Sequence, residues 1–351
     1  LVPGKTNFGF CATVTLQLLE YLLQGGNSLV RKRKECDLKN NLDSILTYEE
    51  FYQEYLSLVE SAIRDELENK IAHSKARYKI APSPLLSALM DDCISEGKEY
   101  SNGGAKYKFF CFMITGLAST VDSLAVIKKC VFEDNLLTLK ELAEVLKQNY
   151  AGREPLRQLF INRVPKFGND DTETDAIASR FMADYAAIVE RVKQECENDY
   201  IISCGVEFYA KFGHDVGASA DGRLAQEPLG SNFSPAIGMD TTGPTAAIKS
   251  VTKPDLMPYA IGGPLDLQIN PGEVQGEQGL IRMIALMKSF IDLGGLMLTM
   301  TGVDRETMLK AQKDPMRYKN LRVRLGGLSA YFIALSKEVQ DSLIRRTKHS
   351  I

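Results

Sequence analysis

The stretch Leu321-Arg322-Val323-Arg324-Leu325-Gly326-Gly327-Leu328-Ser329-Ala330-Tyr331-Phe332 decides how the rest of the chain is read. Arg322 to Leu325 alternate charged and apolar side chains, the pattern of a strand with one buried face, and Ser329 to Leu335 resume an apolar, aromatic run. Gly326-Gly327 break the alternation and predict a strand–loop–strand. Taken alone, a Gly-Gly pair between strands is a hairpin turn and nothing more.

Outward from that stretch, 351 residues suffice for one large or two ordinary domains with a substantial core. A net charge of −3, with Lys and Arg scattered, gives no electrostatic reason to expect nucleic acid or an anionic membrane surface. Residues 12 to 25 come nearest to a membrane span, but Gln17, Glu20 and Gln24 interrupt them, so a buried helix is expected and no membrane segment. The seven cysteines, at 11, 36, 93, 111, 130, 196 and 204, form no C-x-x-C pair, and three histidines are few for a metal site. Reduced thiols in a cytoplasm are the expectation. The chain opens on Leu1-Val2-Pro3-Gly4-Lys5-Thr6-Asn7 without a methionine or a secretory signal, and is expected to be a piece of something longer.

Helices and strands alternate, which argues an α/β architecture. Val14, Leu18, Leu19, Leu22 and Leu23 have helical spacing, closed by Gly25-Gly26. Thr47-x-x-Glu50 and Thr138-x-x-Glu141 are capping boxes, predicting helices to about Ala72 and Gln148. Further helices are expected over Thr120 to Lys129, 173 to 197, 279 to 293, Arg305 to Lys313 and Lys337 to Arg346, with a strand over Leu296 to Thr301. Gly168-Asn169-Asp170-Asp171 reads as a helix cap. Gly103-Gly104 reads as a turn, since no phosphate-loop pattern accompanies it. The Pro- and Gly-rich run from Asp221 to Lys253 has little periodicity and predicts a long ordered loop of functional importance.

With its flanks, Asp314-Pro315 through Arg346-Thr347, the glycine stretch resembles the C-terminal signature of the glycyl radical enzymes, the pyruvate formate-lyase family, where an Arg-Val-x-Gly-Tyr loop carries a backbone radical. The resemblance extends over nearly the whole chain. It includes Ala81-Pro82-Ser83-Pro84 with Gly103-Gly104, Val164-Pro165-Lys166-Phe167-Gly168-Asn169-Asp170-Asp171, and Asp221-Gly222-Arg223 through Ser250. By the motif's register Gly327 is the catalytic radical position, with Gly326 as the one-residue-slip alternative, and Leu328 stands where the family has tyrosine. The chemistry requires glycine: loss of an α-hydrogen leaves an electron delocalised between amide nitrogen and carbonyl, over a planar Cα that a Cβ would crowd.

What the resemblance implies is the second half of a ten-stranded α/β barrel, helix-rich, with residues 1–215 as the half-barrel and 216–351 as a C-terminal glycyl radical domain whose glycine loop is buried. It implies no bound cofactor. The glycyl radical is instead formed post-translationally by a partner, a radical-SAM activating enzyme with S-adenosylmethionine and an iron–sulfur cluster. A homodimer, a small-molecule substrate and a missing N-terminal half of the barrel complete the implied partners. Leu1 to Asn7 resembles the segment just after the loop bearing the thiyl cysteine in the dehydratase and decarboxylase branch, so that cysteine is expected upstream of Leu1. Where dehydratase relatives often have His-Asp, this chain has Phe10-Cys11. Cys204-Gly205-Val206-Glu207 looks like a scrambled cysteine loop, yet Gly217 to Arg223 follows at the spacing of another family element, so Cys204 is read as structural. The expected function is the C-terminal part of an anaerobic glycyl radical lyase. The alternative is a degenerate or split subunit that complements a partner chain, and a nucleotide-binding protein, resting only on scattered glycines, is the weakest reading.

Overall fold

A computed structural model describes residues 4–195, 201–207, 210–325, 328–346 and 348–349. The chain begins with β1 (Thr6–Val14), α1 (Thr15–Leu23), a small ladder of β2 (Asn27–Ser28) on β3 (Arg33–Lys34), and the long helix α2 (Tyr48–Ile80). A short α3 (Pro84–Ala88) precedes β4 (Tyr107–Thr115) and α4 (Leu117–Val126), which continues as a π-helical turn over Ile127–Glu133. Then come α5 (Leu139–Lys147), α6 (Glu154–Arg163), α7 (Thr172–Glu195) and β5 (Ile201–Glu207). After a long irregular stretch follow α8 (Pro244–Thr252), β6 (Leu265–Ile269), α9 (Gly276–Asp292), β7 (Leu298–Thr301) and α10 (Arg305–Lys313). The hairpin strands β8 (Arg322–Leu325) and β9 (Leu328–Tyr331), helix α11 (Lys337–Arg345) and β10 (Lys348–His349) complete it.

The result is the helix-rich α/β arrangement that the pattern predicts. One parallel sheet has the order β1-β4-β5, a second the order β10-β6-β7, and a parallel bridge between Gly205 and Gly262 lies next to the first. The strand β1 was not expected. Helical spacing from Val14 onward masks it, but residues 6 to 14 pair in register with 107 to 115, from Thr6 on Tyr107 to Val14 on Thr115. The β-branched Thr13 and Val14 stay extended and the helix starts only at Thr15, whose hydroxyl bonds the Thr115 carbonyl at 3.2 Å. In β4, Phe110 to Thr115 are continuously buried, the signature of a parallel strand covered on both faces.

Phe110, Phe112 and Ile114 of β4 join Leu16, Leu19, Tyr55, Val59, Val121, Phe181 and Tyr185 in the main core. Two phenols that reach into it are satisfied, Tyr55 by the Thr15 carbonyl and Tyr185 by the Thr13 hydroxyl, each at 2.9 Å. Both capping boxes form as predicted, at Thr47 and Thr138. The helix after Thr47 runs past Ala72 to Ile80, because residues beyond Leu67 keep helical propensity without needing a buried face. The helix expected from Thr120 starts three residues earlier, after Gly116 at φ +79°, and none of its ten residues is exposed.

The main core takes in residues from Cys11 to Phe290. A second, separate core is built from Met308, Ala311, Val323, Phe332, Leu343 and Ile344. It unites α10, the hairpin and α11 into a C-terminal unit. Its strand β9 is shorter than the run Ser329 to Leu335 suggested: Phe332 turns inward to full burial, and Phe332–Ala334 form a 3-10 turn.

Candidate functional site

The hairpin β8–β9 is antiparallel, with Arg322 opposite Tyr331, Val323 opposite Ala330, Arg324 opposite Ser329 and Leu325 opposite Leu328. The predicted alternation is realised. Val323 is buried in the C-terminal core, whereas Arg322 lies over the Tyr331 ring at 5.2 Å and Arg324 donates to the Ser329 hydroxyl at 2.8 Å. Gly326 and Gly327, the two candidate radical positions, lie outside the described residues; they span the closing pair Leu325 and Leu328. Leu328 is 74 % exposed and Ser329 is exposed, while the glycine loop that the resemblance implies to be buried lies outside the described residues.

The hairpin is anchored from below. The Arg324 amide donates to the Thr301 hydroxyl of β7 at 3.2 Å. One strand over, Asp266 of β6 is buried and accepts from the Thr299 hydroxyl, from Ser231 at 3.1 Å and from Asn232 at 3.2 Å. Arg346, just past α11, donates to Ser231 at 3.0 Å and stands 3.8 Å from Asp266. A buried carboxylate without such partners would be costly. Here it joins the irregular run after Gly217 to the layer that carries the glycines.

The loop expected over Asp221 to Lys253 ends early, because Pro244 at the first helical position starts α8 over Pro244–Thr252, and the irregular run before it is ordered by buried side chains. Arg223 gives its guanidinium to four main-chain carbonyls, those of Gly217 and Leu224 at 2.8 Å, Val216 at 3.1 Å and Gly213 at 3.3 Å. Glu20 of α1 accepts the amides of Leu29 at 2.7 Å and Gly217 at 2.5 Å, and burial raises its pKa. Asn169 donates to the carbonyls of Lys166 and Met239 and accepts the amides of Thr241 and Thr242. Beside it Gly168, at φ +98°, lets the Pro235 ring lie against its Cα. Asp171 bonds the Thr174 amide at the start of α7, as its reading as a cap required, while Asp170 pairs with Lys249 and Lys253. The Gly-Asn-Asp-Asp turn is therefore both a helix cap and the dock for the loop that precedes α8.

Sequence reasoning assigned no role to Asp122. It lies in the wholly buried α4 at 0 % exposure, accepts the Phe167 amide at 2.7 Å through Oδ1, and has an Oδ2 with no partner among the described residues. Burial pushes its carboxyl up to about 7, with Lys166 opposing. The available signal was a single charge inside the otherwise uncharged Leu117–Val126.

Cys204, read as structural, is 2 % exposed on β5, and burial pushes its thiol up to about 12. Cys11 is likewise buried and pushed up to about 12, first by burial and then by Glu66, while Phe10 before it is 55 % exposed. Neither thiol has the electropositive, accessible setting of a reactive one. Among the described residues no three His, Cys, Asp or Glu side chains are grouped to hold a metal ion, and no helix is long and apolar enough to cross a membrane.

Comparison with known proteins decides the family. Residues 1–207 match the pyruvate formate lyase-like family model and residues 229–333, which include both candidate glycines, match the glycine radical model. The chain belongs to the glycyl radical enzymes. It is 32 % identical to trans-4-hydroxy-L-proline dehydratase of Clostridioides difficile over 95 % of its own length and 42 % of that protein's. It is also 32 % identical to isethionate sulfite-lyase of Oleidesulfovibrio alaskensis, covering 94 % of the chain and 40 % of the relative. Among solved structures, the C. difficile hydroxyproline dehydratase superposes with a TM-score of 0.91 at 32 % identity, and the B12-independent glycerol dehydratase of Clostridium butyricum with 0.90 at 31 %. Both superpositions cover 99 % of this chain and 44 % of the other. This glycyl radical chain thus falls in the dehydratase branch and spans less than half the length of the relatives it matches.

Proposed function

We propose that this chain is the radical-storing, C-terminal part of a glycyl radical lyase, with the unpaired electron held on the Cα of Gly327. The observation that carries the reading is the order of the two family matches, with the Gly326-Gly327 pair inside the second and the antiparallel register of β8 and β9 on either side of it. In this scheme an S-adenosylmethionine-dependent iron–sulfur activating enzyme removes one α-hydrogen from Gly327. The glycyl radical then takes the hydrogen of a cysteine thiol, restoring glycine and leaving a thiyl radical that abstracts hydrogen from a small substrate. The substrate radical expels its leaving group, and the hydrogen returns along the same path. That cysteine belongs to a segment preceding Leu1, in the same or a partner polypeptide, and residues 1–215 supply half of a ten-stranded barrel around it while 216–351 form the glycine-bearing domain. Elimination chemistry is favoured because dehydratases and a sulfite-lyase stand among the relatives. A cytoplasmic homodimer is part of the proposal.

The test is anaerobic treatment with S-adenosylmethionine and an activating enzyme that works on a related protein. Paramagnetic resonance is expected to give a doublet from the remaining α-hydrogen, collapsing when glycine is deuterated. Gly327→Ala should fold and stay silent while Gly326→Ala retains the signal. A silent wild-type spectrum refutes the assignment, and silence in Gly326→Ala alone moves the radical by one residue. A doublet without turnover, even after an N-terminal half is supplied, favours the split or degenerate subunit.

A further inference from the structure

Between the main body and the C-terminal unit lies a cleft of about 450 Å³. The body contributes Arg157 and Arg223, and the C-terminal side contributes Arg305, Arg345 and Arg346. Three acids line the same space, Asp122, Asp221 and Glu227. Each of these already accepts a main-chain amide: Asp122 that of Phe167, Asp221 that of Arg223, and Glu227 that of Leu224. The arginines keep donors to spare. Arg223 is only 8 % exposed, yet its Nε has no partner among the described residues, and Arg305 makes no side-chain hydrogen bond or ion pair among them. Arg345 is held loosely, by Glu227 at 3.4 Å. A guanidinium has five N–H donors in a planar fork that matches two oxygens of an oxyanion.

We propose that this cleft binds a small oxyanion, with Arg223 beneath it and Arg305 and Arg345 closing over it, and that the bound anion fastens the C-terminal unit to the main body. Arg223, whose Nε is sealed from solvent and whose other nitrogens hold main-chain carbonyls, contributes its positive charge to the floor of the cleft, while Arg305 and Arg345 supply the free N–H donors. Five cations facing three acids give the cleft the sign an anion needs. Because the arginines come from both sides of the seam, occupancy and closure are linked: an anion that bridges them stabilises the closed arrangement by its own binding. The chemistry suits inorganic phosphate or a simple carboxylate.

The test uses the whole chain, without any radical, so that its outcome is separate from that of the proposed activity. Calorimetric titrations with inorganic phosphate and with acetate, each against chloride at matched ionic strength, are read together with amide hydrogen exchange over residues 337–345. Saturable binding of at least one anion is expected, weakened about tenfold or more in Arg305→Gln, a substitution at an exposed side chain that leaves the fold intact. The bound anion should slow exchange in α11. Phosphate binding alone identifies a tetrahedral ligand and acetate binding alone a carboxylate, and either supports the site. No saturable binding of either anion, binding that Arg305→Gln changes by less than roughly twofold, or binding without slower exchange in α11 would each overturn the proposal.

Discussion

Replacing Asp122 by Asn should flatten the pH dependence of stability. In the folded chain burial pushes this carboxyl from 3.8 up to about 7. Between those two values the folded protein holds a proton that the unfolded chain has released, so stability must fall as pH rises through the window. A difference of about three pKa units corresponds to about 4 kcal/mol in full, and about 3 kcal/mol of it is lost between pH 5 and pH 8. Asparagine keeps the size of the side chain and cannot ionise. Urea unfolding of wild type and Asp122→Asn at both pH values gives the comparison, because the other titrating groups cancel in the double difference. The variant is expected to lose about 3 kcal/mol less than wild type on going from pH 5 to pH 8. If the two proteins keep parallel pH profiles, Asp122 is ionised throughout and the account of its burial is wrong.

Two further substitutions test the packing. Gly168→Ala places a Cβ against the Pro235 ring at a backbone angle that L-residues rarely adopt, and should cost at least about 2 kcal/mol in thermal or denaturant unfolding; an unchanged midpoint would show that the ring does not press on this Cα. Phe332→Ala empties the centre of the C-terminal core and should cost about 3–5 kcal/mol there. Hydrogen exchange is expected to accelerate in α10 and α11 while α4 and α7 keep their protection, and uniform acceleration would show that the two cores are one cooperative unit.

Much of this was legible in the residues. The capping boxes at Thr47 and Thr138 and the alternation of Arg322 to Leu325 are local signals, and each formed where its chemistry put it. Strands β1 and β4 were not: β4, buried on both faces from Phe110 to Thr115, has no period of two, and the apolar run of β1 flows into a helix of similar composition. For the site, the resemblance located the glycine pair, but Gly326 and Gly327 lie outside the described residues. The polar side chains that order the surrounding loop were invisible to pattern. Glu20 and Gly217, or Asn169 and Thr241, meet only through the fold, and no local spacing announces a contact between residues so far apart.

The same distances bear on how the molecule is made. Thr6 waits for Tyr107 to emerge before β1 gains its neighbour, and the parallel partner of β4 arrives only near residue 201. Loop closures of that length slow folding and leave apolar strands uncovered on the ribosome. Nascent chains of this protein should therefore lean on chaperones until the first sheet closes, and refolding from denaturant should be slow even where the finished structure is stable.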